Sequence, residues 1–450
     1  MTDQVTQRTN APHVRGLTES EAAGIEVFDK PGAGSWTSWF GLDTGPVSFR
    51  DSFDPAFYEL EKDAVFRKSW LNLGRVEQLP RRGSYFTKEL KFLGISIIVV
   101  RGMDEKIRAF HNVCSHRGNR LVWDDYPDRE TRGMCRAFSC KYHGWRYSLD
   151  GQISYVHNAP EFFDLNADEL ALPQVHLDTW AGFIWINLDE KPRQSLREFL
   201  TPTVAKLETY PFEKMTQTYV FESEVEANWK LFVDAFQEVY HVPYVHGKLN
   251  NPAAEQTGVD KIPFMIPYWA PYGKHRLFSS VGPLGNANLR VRKAADALFQ
   301  AGLLGTDYTP DVGPLGDGVN PGGIDRWGAD SWQIYPNFVV VTWNRNHYFT
   351  YHYWPLSPTR HKFEWTVNFV PPTTTRERLA QEHAAMVIRE GGLQDAATLE
   401  ATQMGIASGA RKQFFLCDQE VAIRHLHKVA QDDVAAYARE AGLTGNGTDR

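Results

Sequence analysis

The stretch from Cys114 to Trp145, CSHRGNRLVWDDYPDRETRGMCRAFSCKYHGW, limits the fold of this chain more than any other. It holds two short clips, Cys114-Ser115-His116 and Cys140-Lys141-Tyr142-His143, each with one thiol and one imidazole. Donors of this kind share one inorganic centre only if the clips face each other, which puts both at the tips of neighbouring loops. Short antiparallel strands hold loops in that way. The runs Ser84 to Thr87, Ile95 to Arg101 and Ile107 to Asn112 are β-rich and separated by Gly and charged turns. Tyr147 to Ile153 reads as a hairpin with Asp150-Gly151 as its tight turn, and Gly182 to Asn187 as a strand rich in β-branched and aromatic residues. A small antiparallel β-domain follows, with its boundary expected near residue 175.

Two thiolates and two imidazoles can hold a two-iron, two-sulfide cluster, both cysteines on one iron and both histidines on the other, the ligand set of a Rieske centre. Neutral imidazoles in place of two thiolates raise the potential, so such a cluster can take electrons from a ferredoxin and pass them to a more oxidising site. A structural Cys2His2 zinc site is the plainer alternative. Zinc motifs usually open with paired cysteines and close with paired histidines, whereas each clip here mixes the two. Arg117 and Gly118 after the first clip, and Gly144 and Trp145 after the second, also match what surrounds a Rieske cluster. Cys135 could pair with Cys140 in place of Cys114, but with no histidine beside it, it reads as a bystander.

The 450 residues allow two domains, each with its own core. A hydrophobic share of 42% with 23% charged residues is that of an ordinary globular protein. The net charge of -7 argues against nucleic acid as a partner. Four cysteines are too few for a disulfide scaffold, the polar start carries no export signal, and the apolar run Ile95 to Val100 is too short to cross a bilayer. A cytoplasmic enzyme is therefore expected. Residues 1–50 read as an N-terminal arm, and Asp54-Pro55 opens a helix through Phe66. Residues 51–175 form the cluster domain and 176–450 a second domain. In the latter, Leu196 to Tyr210 is partly helical and Tyr219 to Glu226 alternates as a strand. The segment from Leu249 to about Asp330 reads as irregular, with one helix at Val291 to Gly302. Strands follow at Trp332 to Trp343, His347 to Trp354 and Phe363 to Val370. Helix then runs from Thr374 to Ile388, breaks at Gly391-Gly392 and resumes to about Ile406.

A second group of donors lies in Asn228 to His246. If residues 228–241 are helical, Asp234, Glu238 and His241 share one face. Pro243 disfavours helix at Val242, so His246 comes from the turn beyond and folds back beside His241. Two histidines and one carboxylate on one face of an iron form the facial triad of non-haem iron oxygenases, which leaves a third ligand to be found. Taken alone, a histidine pair near a proline is more often packed than metal-binding, and Asp234 and Glu238 could be solvated helix charges.

The motifs CSHRG, CKYHGW, NWK and ExxHxxxxH, in this order, resemble the large (α) subunit of the Rieske non-haem iron ring-hydroxylating oxygenases. The likeness runs from about Trp70 to about Ser408 and is weak across 250–330. It implies an α+β chain: a Rieske β-domain with [2Fe-2S] held by Cys114, His116, Cys140 and His143, then a catalytic domain in which helices wrap a twisted antiparallel sheet, a helix-grip or START-like arrangement. It implies a mononuclear Fe(2+) on His241, His246 and an aspartate from a late helix. Asp395 matches that segment, with Glu400 as its rival and an N-cap after Gly391-Gly392 as the plain alternative. Three residues before the first histidine the family often has an aspartate that bridges the neighbouring subunit's Rieske histidine to the iron. Glu238 stands there, as in members acting on quaternary amines; a helix-face carboxylate without a bridge is the alternative. Asn228 of the NWK motif is a further candidate catalytic residue.

The resemblance implies a terminal oxygenase fed by a ferredoxin or an NAD(P)H-dependent reductase, using O2 to mono- or dihydroxylate an aromatic or other apolar substrate. It also implies a homotrimer with head-to-tail contacts, with or without a small β subunit. The alternative on the same scaffold is an oxidative demethylase of a quaternary amine or methyl ether. Two other classes stay open: a Rieske electron carrier without oxygenase activity, and a zinc-stapled binding protein.

Overall fold

Local signals start the helix Pro55–Glu61 as expected: the Asp54 carboxylate accepts the Ala56 N–H and Pro55 occupies the first turn. A π-helical turn, Lys62–Phe66, continues it. The computed structural model describes residues 30–32, 34–124, 130–246, 266–281, 312–325, 327–343 and 347–443. The expected helix at 291–302 and the arm before residue 30 lie outside the described residues.

The first sheet has seven strands in the order Trp70–Arg75, Phe183–Asn187, Gln174–Trp180, Ile107–His111, Ile95–Arg101, Ser84–Leu90 and Arg132–Met134. Ile97 to Val100 are buried, because this central strand is covered on both sides. A three-stranded sheet, Phe138–Ser139, Arg146–Tyr147 and Ile153–Tyr155, carries the second clip. The expected boundary near residue 175 cuts through this architecture. Gln174–Trp180 and Phe183–Asn187 pair with the first sheet, which therefore runs to Asn187.

The second sheet also has seven antiparallel strands: Gln217–Val225, Arg360–Phe369, His347–Ser357, Phe338–Trp343, Trp327–Ile334, His275–Val281 and Tyr268–Tyr272. Arg360–Phe369 buries His361, Phe363, Trp365 and Val367 in strict alternation, which sets the face on which the helices lie. The architecture is thus the α+β one expected, with helices packed on an antiparallel sheet. Two expectations fail within it. The segment called irregular contributes the hairpin of Tyr268–Tyr272 and His275–Val281; Pro271 masked it, and is tolerated because its strand is at the sheet edge. The run from Trp332 to Trp343 is two paired strands that turn back at Tyr335 to Asn337.

The helices depart from expectation more. Residues 228–241 do not form one helix: Trp229–Ala235 ends at Phe236, and a separate turn, Val242–Val245, follows His241. Thr375–Ala407, by contrast, is unbroken through Gly391-Gly392. Gly392 is there for packing. A Cβ at this position would overlap the Trp365 ring on the sheet below, so its absence lets the helix lie close. The last helix, Val421–Glu440, was assigned no role from sequence, and it packs on Pro55–Glu61 and on Trp229–Ala235. Among the described residues no helix is long and apolar enough to cross a membrane.

Alanine for glycine inside a helix normally stabilises by about 1 kcal/mol. In Gly392→Ala the methyl meets a rigid indole on a buried strand, and such overpacking costs about 1–3 kcal/mol. Denaturant unfolding should therefore show a net loss of about 1 kcal/mol, where the propensity term alone would give a gain.

Candidate metal centres

The two clips are built alike. Gly118 N–H donates to Cys114 O and Gly144 N–H to Cys140 O, both at 2.9 Å. Each glycine lies four residues after its cysteine, and each has φ +73, a left-handed conformation that closes the loop where a side chain would be strained. The histidine rings meet edge to face with centroids 4.6 Å apart. His116 stacks on Trp145 at 4.8 Å, and Phe162 packs edge-on against both. His116 Nδ1 is buried with no hydrogen-bond partner. An orphaned imidazole nitrogen among two thiols and a second imidazole fits a metal-bound donor better than a packed side chain. Burial pushes the Cys114 thiol up, and Cys140 beside it adds to the shift. Cys135 plays no part in that pairing; its N–H donates to Gly83 O at the sheet edge.

Tyr147 is a residue that sequence reading took only as the start of a hairpin. Its hydroxyl accepts the Ser115 N–H at 2.9 Å and lies 3.2 Å from Cys114 Sγ, where it can donate once that sulfur is a thiolate. Asn119 Nδ2 approaches Cys140 Sγ at 3.8 Å. Hydrogen bonds to sulfur disperse charge on a cluster and tune its potential.

The second group of donors converges from two parts of the chain. Pro243 opens a one-turn helix, Val242–Val245, with His241 at its N-cap and His246 at its C-cap. That turn sets the two rings 5.2 Å apart. Both Nε2 atoms face one carboxylate oxygen: His246 Nε2 lies 2.9 Å and His241 Nε2 3.6 Å from Asp395 Oδ1. One donor atom from each of the three residues falls within 4.8 Å of the others. Asp395 is mid-helix and buried, which rules out its reading as an N-cap, while Glu400 accepts the Glu226 N–H elsewhere.

Both rings are held from behind. Glu238 bonds His241 Nδ1 and accepts the backbone N–H groups of Tyr240 and His241. Gln394, which no sequence signal singled out, lies 2.8 Å from His246 Nδ1 through its amide oxygen. Burial disfavours the charged form of His246, but Asp395 and Gln394 outweigh it and its pKa is raised.

Two expected site residues are not brought to the triad. Asp234 faces the last helix, where His427 donates from Nε2 to Asp234 at 3.1 Å and from Nδ1 to Asp51 at 2.8 Å. Burial opposes a charge on His427, yet the two carboxylates outweigh it and push its pKa up to about 10. Asn228 caps its helix: its oxygen accepts the Lys230 N–H, and its amide nitrogen donates to Pro358 O. The rest of NWK is also a fastening, with Lys230 Nζ and Trp229 Nε1 both on the buried Glu61 carboxylate.

A cavity of about 200 Å³ reaches the triad, lined by His241, Asp395 and Glu238, by Asp234 and Glu420, and by Leu231, Val245, Leu399 and Ile423. Beyond that lining, aromatic rings pack on one another against the sheet. Tyr351 packs on Phe236 at 5.0 Å and on Trp365 at 5.3 Å. Burial pushes the Tyr351 and Tyr353 hydroxyls far up, and the Asp395 charge adds to both shifts.

Two family models match: the Rieske [2Fe-2S] domain over residues 69–173 and the ring hydroxylating alpha subunit (catalytic domain) over 212–436. The carnitine monooxygenase oxygenase subunit of Escherichia coli (strain K12) is 34% identical over 195 residues, 43% of this chain and 50% of that protein. The chloroplastic choline monooxygenase of Atriplex hortensis is 34% identical over 199 residues, 43% of each. The chain thus spans about half the length of the curated relatives it matches. A crystal structure of the quaternary ammonium Rieske monooxygenase CntA shares the fold at TM-score 0.67 and 19% identity, over 90% of this chain and 99% of that one.

His143→Ala should abolish the visible absorption of an anaerobically reconstituted cluster, and an unchanged spectrum would count against the ligand set. Asp395→Ala should keep that spectrum while the second site loses iron, read by metal analysis at one iron fewer per chain.

Proposed function

The chain belongs to the family of Rieske ring-hydroxylating α subunits, and from that membership we propose that it is a terminal oxygenase that monooxygenates a small quaternary ammonium compound. When bound, the [2Fe-2S] cluster supplies electrons one at a time and the mononuclear iron supplies the place where dioxygen is reduced. Cys114, Cys140, His116 and His143 hold the first group, and His241, His246 and Asp395 the second. Residues 30–50 act as an arm, the cluster domain ends near Asn187, and the catalytic domain follows.

One oxygen atom enters a C–H bond of the substrate, and the other leaves as water with two electrons from the donor and two protons from solvent. At an N-methyl carbon the hydroxymethyl product falls apart into formaldehyde and a tertiary amine. The observation that carries the substrate class is the pair of carboxylates, Glu238 and Glu420, that line the space at the triad. They suit an organic cation, and a neutral arene would gain nothing from them. The similarity to carnitine and choline monooxygenases supports the same choice, so quaternary-amine oxidation replaces the arene hydroxylation expected first.

Glu238 positions His241 in its own chain, and through it links that site to the cluster of the next subunit in a head-to-tail ring. Electrons come from a ferredoxin or an NAD(P)H-dependent reductase in the cytoplasm. The test is turnover by the reconstituted protein with a reductase, scored as product and not as oxygen uptake. Choline, carnitine and glycine betaine should include a substrate turned over at least about tenfold faster than naphthalene. Hydroxylation of the arene with none of the three cations oxidised would remove this reading.

A further inference from the structure

We propose that Gln394 is a positioning residue for the mononuclear iron, its amide oxygen holding His246 with Nδ1 protonated and Nε2 bare and aimed at the point shared with His241 and Asp395. The inference rests on the assignment of iron to this triad. A histidine binds metal through one nitrogen only when its proton sits on the other, and the partner of that other nitrogen decides which tautomer is present. His246 Nδ1 has Gln394 Oε1 at 2.8 Å, and its Nε2 faces Asp395 Oδ1 at 2.9 Å. The ring is therefore fixed at both ends along the line that metal binding needs.

Gln394 precedes Asp395 on the unbroken helix Thr375–Ala407. One rigid element thus supplies both the carboxylate ligand and the acceptor that aims a histidine from another part of the chain. A shift of this helix would move both together and keep their geometry. The two histidines are supported unequally: His241 by the carboxylate of Glu238, His246 by a neutral amide. The site already holds the carboxylates of Asp395 and Glu238. An amide adds direction without a third negative charge.

The test is an anaerobic titration of ferrous iron against a competing chelator, on protein whose cluster is loaded, with the visible spectrum of the cluster as the control for folding. Gln394→Leu, which removes the acceptor, should weaken iron binding by about 10- to 100-fold with the cluster spectrum unchanged. Gln394→Glu, which keeps an acceptor oxygen, should bind iron within a few-fold of the wild type. Wild-type affinity in Gln394→Leu, or an equal loss in both variants, would overturn the proposal. If the leucine variant fails to load its cluster, Gln394→Ala decides by the same titration. A wild type that binds iron tightly and oxidises no quaternary amine would remove the substrate reading and leave this inference standing.

Discussion

The catalytic half depends on one approach: the long helix Thr375–Ala407 must lie close enough to the sheet for Asp395 to meet two histidines held on a single helical turn. A side chain as small as alanine at Gly392 would lift that helix off Trp365. Asp395 comes one turn later, so the spacing of backbone against indole is also the spacing of carboxylate against imidazole. Packing sets the position of a ligand here, and side-chain hydrogen bonds then set its direction. Because protein interiors are close-packed, such a distance is a property of the whole layer and resists local adjustment.

Buried charges tie the remaining pieces to that layer. Glu61, at the end of Pro55–Glu61, receives Lys230 and Trp229 from the helix that leads to His241. Burial still raises the Glu61 carboxyl in spite of Lys230, so this pair is held by the fold more than it drives it. His427 lies between Asp51, just after the arm, and Asp234 of the same helix, fully buried. An imidazole with carboxylates on both nitrogens is a cation, and a cation there joins segments from the start, the middle and the end of the described chain. Apolar contacts could pack these elements in several registers. Two carboxylates that must share one imidazolium accept far fewer.

How much of this was legible in the sequence follows from where each signal resides. The cluster ligands were readable because their meaning is local: Cys114 to Gly118 and Cys140 to Gly144 each close a loop within five residues. The pair His241 and His246 was weak on its own and took its meaning from the clips upstream. Asp395 needed the family likeness, since nothing adjacent marks it as a ligand. Gln394, Tyr147 and His427 were not readable, because each acts on a residue distant in sequence and none differs in kind from an ordinary polar side chain. The break expected at Gly391-Gly392 failed for a related reason. A glycine pair has two meanings in a helix, an end or a close approach, and only Trp365 on a distant strand decides between them.

Burial also orders the cluster loops in a way that bears on electron entry. Cys114 and Cys140 are 2% and 3% exposed, behind Tyr147 and Trp145, whereas His116 and His143 are only half-buried and Tyr142 stands out at the tip. The anionic donors thus sit in the low-dielectric interior and the neutral ones toward the surface. Arg117, over the Tyr142 ring at 5.3 Å, adds positive charge at that outer edge. A surface so arranged is complementary to an acidic partner.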